Sequence, residues 1–182
     1  NMKIIDVSYG LNLEYSNYDE ELWLSPNNFL MLATTVKNNL SEFISSKYIK
    51  EEINKNYENI QEQVSIIDAN LRNIASTSKA SDNNVIVTSA NALKFLENYG
   101  FKVISIEDDD NYTTELKNNF KNGKYKALFI KKGESNDKIN ELKDTYKAKT
   151  IEVNMMDVLD DNERKNNEDY ISIMNSFLQN IS

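Results

Sequence analysis

Beyond residue 84 the hydrophobic period of the chain changes, and that change limits the possible folds more than any other feature. Short apolar runs at Val85–Val87, Val103–Ile106, Ala127–Ile130 and Thr150–Val153 alternate with stretches of helical spacing at Ala90–Tyr99, Tyr112–Lys121 and Ser135–Tyr146. Such short runs read as strands, and helices between them imply crossover connections and a parallel sheet. A last helix is predicted over Glu168–Ile181, with Tyr170, Ile173, Met174, Phe177 and Ile181 on one face. Gly100 stands where a left-handed residue closes a helix. The expected fold class is α/β, with four parallel strands flanked by helices. Ligands are expected at the C-terminal ends of the strands, in loops beginning near Thr88-Ser89, Glu107–Asp110, Lys131–Gly133 and Asn154–Asp157.

Upstream, Lys3-Ile4-Ile5-Asp6-Val7 reads as a short strand, and the polar stretch from Tyr9 to Glu21 as irregular chain. Ser25 followed by Pro26 marks a helix start. Phe29, Leu32, Ala33, Val36, Leu40, Phe43 and Ile44 then fall on one helical face. A second helix carries Ile53, Tyr57, Ile60, Val64, Ile67, Leu71 and Ile74 in alternating steps of four and three, which is a heptad seam. The seam fits a helical pair packed within the chain, the favoured reading, or a coiled coil with a second chain.

Three counts narrow the function. The chain contains no His and no Cys, which removes disulfides, thiol nucleophiles, imidazole bases and imidazole or thiolate metal ligands. With no such base beside a nucleophile, an enzyme is not expected; Ser89 opens a helix after a strand but lacks the glycines of a nucleophile elbow. The four glycines are isolated, so no phosphate loop is present, and a net charge of −8 argues against nucleic acid as a partner. No run approaches the roughly 18 apolar residues of a membrane span, and no leader opens the chain. Asn1 ahead of Met2 reads as the opening of an excised fragment. Asp108-Asp109-Asp110 reads as a solvated loop capping the helix from Tyr112. Asp157, Asp160 and Asp161 form a second acidic loop, of which Asp157 lies just beyond a strand end, where a ligand could be met.

The order of features resembles a known family. Asp19-Glu20-Glu21-Leu22-Trp23-Leu24-Ser25-Pro26 is similar to the Asp-Pro-His-Val-Trp-Leu-Ser/Asp-Pro motif of zinc/manganese ABC-transporter solute-binding proteins, the ZnuA/TroA-like family. Ile5-Asp6-Val7-Ser8-Tyr9-Gly10-Leu11 resembles the end of that family's N-terminal lobe, and Asn98-Tyr99-Gly100-Phe101 its Arg-Tyr-Gly turn. Ala127-Leu128-Phe129-Ile130 through Leu142 resembles the following strand and helix. Asn154-Met155-Met156-Asp157-Val158-Leu159 is similar to Asn-Pro-Leu-Glu-x-Leu, and Asp169-Tyr170-Ile171-Ser172-Ile173-Met174 to Ser-Tyr-x-x-x-Met.

The resemblance implies the end of an N-terminal lobe and a linker over 1–25, long helices including an interlobe helix over 26–80, and a C-terminal α/β lobe over 81–182. It also implies an extracytoplasmic receptor, lipid-anchored, periplasmic or secreted, that hands a divalent metal ion to an ABC permease; a monomer is expected. In this chain the His of the Trp motif falls on Glu21, the His or Glu opening the second unit on Ser89, and the carboxylate after the last strand on Asp157. The metal ligands implied here are therefore Glu21 and Asp157, with Ser89 beside them, and zinc or manganese as the ion. Three readings follow: a harder cation such as Mn²⁺ held by oxygen donors from both lobes, ligands recruited elsewhere, or a degenerate relative that binds no metal and acts as an interaction or adhesin-like module.

Overall fold

The computed structural model describes residues 4–7 and 21–182. A 3-10 turn at Leu22–Leu24 leads into helix α1 (Pro26–Phe43), which begins on Pro26 as its first residue, although the Ser25 side chain makes no capping bond. Helix α2 (Lys47–Ala80) follows after three residues and packs on α1 as a hairpin, its start capped by the Ser46 hydroxyl accepting from the Ile49 N–H. Tyr57 ties the pair together: its hydroxyl lies 2.7 Å from Thr34 Oγ1 and its ring 5.1 Å from the Lys37 ammonium. The heptad seam is covered within the chain. Ile53, Tyr57 and Ile60 are half-buried, and Val64, Ile67 and Leu71 are buried.

The sheet contains β1 (Val85–Thr88), β2 (Lys102–Ser105), β3 (Leu128–Lys131) and β4 (Thr150–Val153), all parallel, in the order β2-β1-β3-β4. Alternate residues serve opposite faces, as the two-residue period of a strand requires. Ile86, Val103, Phe129 and Val153 join the core under α2 and α6 (Tyr170–Ile181), which contributes Met174, Phe177 and Leu178. Val87, Leu128 and Ile130 face α3 (Thr114–Lys121) and α4 (Asp137–Asp144), against Leu116, Phe120, Ile139 and Leu142.

Five local expectations are corrected. Residues 4–7 form no strand and Ile4 is 87% exposed; Lys3 lies outside the described residues. The irregular stretch expected before Glu21, the Asp19-Glu20 start of the Trp motif and most of the segment ending at Leu11 also lie outside them. The helix after β1 is 3-10 throughout (Asn91–Tyr99), because Ala90, Leu93 and Leu96 are buried at steps of three, the repeat of that helix. It closes on Gly100 at φ 99°, as predicted. The helix expected from Tyr112 begins at Thr114, where the Thr113 hydroxyl accepts from the Leu116 N–H. The acidic loop before it does not cap that helix: Asp108 pairs with Lys94 at 2.9 Å and Asp109 with Lys138 at 2.6 Å. Finally, the loop expected after β4 contains a short helix, α5 (Asp161–Lys165), started by a capping box between Asp160 and Glu163.

Candidate functional site

In the order β2-β1-β3-β4 the chain leaves β1 for one side of the sheet and later returns to the other, so the winding reverses between β1 and β3. Crossovers on opposite faces leave a crevice at the carboxyl ends of those two strands, the usual ligand position in open parallel sheets. Ser89 follows β1 directly, and its N–H extends the ladder to Phe129 O at 2.8 Å. Lys131 ends β3. Its backbone N–H lies 3.3 Å from both Ser89 Oγ and Glu134 Oε2, and the Ser89 hydroxyl donates a short hydrogen bond to that same carboxylate. The other oxygen of Glu134 accepts from Asn136 Nδ2 at 3.1 Å.

Glu21 reaches the crevice from outside the sheet. It caps the 3-10 turn in left-handed backbone (φ 54°, ψ 37°), a strained conformation for a side chain other than Gly, Asn or Asp. Packing holds it there: Leu24 is in the core, the Trp23 indole N–H donates to Met155 O at 2.8 Å, and Tyr170 Oη donates to Leu24 O at 3.4 Å. The Lys131 ammonium donates to Glu21 Oε1 at 2.7 Å. Lys131 thus bridges Glu21 and Ser89, two of the three positions singled out in the sequence.

Asp157 lies in the loop after β4. Its Oδ1 accepts from the Val158 N–H at 2.9 Å, and the side chain is exposed. The same loop is turned by Asn154, whose Oδ1 accepts from the Met156 N–H at 2.8 Å. Asn154 Nδ2 donates to Glu163, which also pairs with Lys132. Lys132 draws the Asp160 carboxyl down to about 2, helped by the Glu163 N–H, and holds Glu163 below its usual range. At the opposite rim the Lys94 ammonium holds the Asp108 carboxyl low. Among the described residues, no group of three or more His, Cys, Asp or Glu side chains gathers closely enough to hold a metal ion.

Sequence reasoning missed Lys131 and Glu134. Their signal was the Lys131-Lys132-Gly133-Glu134 run at a strand end, read there only as the start of a loop.

The family model for zinc-uptake complex component A (ZnuA, periplasmic) matches residues 1–182. No curated protein matches the chain. Among solved structures, the Zn(II)-bound ZnuA-like domain of AdcA from Streptococcus pneumoniae is 24% identical with a TM-score of 0.77, over 98% of this chain and 68% of that one. The metal-dependent lipoprotein YcdH from Bacillus subtilis is 21% identical with a TM-score of 0.80, over 97% and 68%. The periplasmic zinc-binding protein TroA from Treponema pallidum is 21% identical with a TM-score of 0.71, over 97% and 67%. At these identities the structures share the α/β fold of four parallel strands and helices. Kinship rests on the family model, which runs the length of the chain: the protein belongs to the ZnuA family, the metal-binding periplasmic components of ABC transporters.

Proposed function

We propose that the chain acts as the solute-binding component of a divalent-metal ABC importer, with the ion received at the carboxyl end of the parallel sheet. Glu21 and Asp157 are its oxygen donors, Ser89 stands beside them, and further donors come from the third of its relatives' length that this chain does not span. The receptor works outside the cytoplasm, lipid-anchored, periplasmic or secreted, and passes the ion to a membrane permease; it performs no chemistry. The observation that carries this reading is Glu21, a carboxylate only 12% exposed at the switch point of the sheet in a chain matched throughout by a metal-uptake family. Oxygen donors without imidazole or thiolate suit Mn²⁺ better than Zn²⁺, because harder ligands favour the harder ion. Coverage of the heptad seam within the chain supports a monomer.

Isothermal titration of the full-length protein with Mn²⁺ and Zn²⁺ tests the proposal. One ion per protein is expected, with at least about tenfold weaker binding in Glu21→Gln or Asp157→Asn. No heat and no rise in melting temperature with either ion would sink it.

A second reading, a degenerate relative acting as an interaction module without metal, is favoured by one observation: Glu21 already carries a lysine ammonium. Its partner surface then lies away from Val64, Ile67 and Leu71, which are buried in the core.

A further inference from the structure

Among the described residues, Lys131 draws Ser89, Glu134 and Glu21 to one side chain and its backbone. Its backbone N–H engages Ser89 and Glu134 while its ammonium lies 2.7 Å from Glu21, with side-chain exposures of 33% for Lys131 and 12% for Glu21. A carboxylate withdrawn that far from water needs a counter-charge, since partly desolvated anions are costly when unpaired. The ammonium supplies it and occupies lone pairs that an incoming ion would need. A divalent cation and an ammonium cannot share one carboxylate at contact distance without strong mutual repulsion, least screened where the carboxylate is so little exposed. The lysine stem is long and flexible and a third of the side chain reaches solvent, so the head group can swing outward.

We infer that the Lys131 ammonium is the resident cation of this crevice, and that a metal ion reaches Glu21 only by expelling it. The inference rests on the proposed metal-binding function for the identity of the incoming ion. Lys131 then sets how tightly the site binds: it balances the charge of Glu21 in the metal-free protein and competes with the ion.

The test is titration of the full-length protein with Mn²⁺ and Zn²⁺, for wild type, Lys131→Met and Lys131→Arg, each checked for folding by circular dichroism and melting. Lys131→Met keeps the stem and removes the charge, and it is expected to bind about tenfold more tightly than wild type. Lys131→Arg keeps the charge and should bind no more tightly than wild type. If Lys131→Met does not fold, Lys131→Gln takes its place. Equal or weaker binding by the uncharged variant overturns the inference while leaving the metal function standing. Binding by the variant but not by wild type upholds the inference and removes metal capture from the natural chain. Silence from both removes both.

Discussion

Helix α1 and the second half of α2 carry apolar stripes of the same period but meet different fates. In α2, Leu71 is 0% exposed, and Val64, Ile67 and Ala75 are buried with it. In α1 only Pro26 is buried; Leu40 is 37% exposed, and Val36 and Phe43 stand similarly at the surface. A stripe states which side of a helix is apolar, and burial depends on what lies opposite. For α2 that is the 3-10 helix Asn91–Tyr99 and α6, both packed on the sheet; for α1 it is mainly α2.

The largest effect expected from this contrast belongs to Leu71→Ala. A fully buried leucine loses its transfer energy and leaves a cavity, so the variant should unfold about 3 kcal/mol more easily in urea. Leu40→Ala removes the same atoms from a site that water already reaches, and should cost less than about 1 kcal/mol. Equal losses at the two positions would break the comparison, because they would mean that Leu40 is as enclosed in solution as Leu71.

The same contrast explains what the sequence could reveal. The change of period at Val85 disclosed four strands, and their alternation with helices disclosed a parallel sheet. Ser25-Pro26 and Gly100 marked helix ends through their own backbone preferences. Finer points were written there but passed over: Asp160 and Glu163 have the spacing of a capping box, and Ala90, Leu93 and Leu96 have the repeat of a 3-10 helix. The crevice was a different matter. Glu21 was reached only through family order and Ser89 also through its place at a strand end, but their partners Lys131 and Glu134 lie 110 and 45 residues away along the chain. Those pairings depend on β3 lying beside β1, and alternation of strands with helices states that the strands are parallel without stating their order.

The smallest effect concerns a third kind of region, the rim at α5, which is held by charge rather than by burial. Lys132 lies 2.7 Å from Asp160 and 2.5 Å from Glu163, and all three side chains belong to exposed or half-exposed residues. In the folded protein the Asp160 carboxyl titrates near pH 2, below its ordinary 3.8, and Glu163 is lowered in the same direction. A depressed carboxyl stabilises the fold above its unfolded value and loses that contribution as pH falls through its folded one. The window therefore runs from roughly pH 4 down to pH 2. Lys132→Met should melt about 1–2 °C below wild type near neutrality, a modest cost because water screens the pair. The two melting curves should converge as the carboxylates protonate, meeting near the bottom of that window. A gap that persists there would mean that Lys132 steadies α5 through the packing of its methylene stem, and the rim would then belong with the buried half of the molecule.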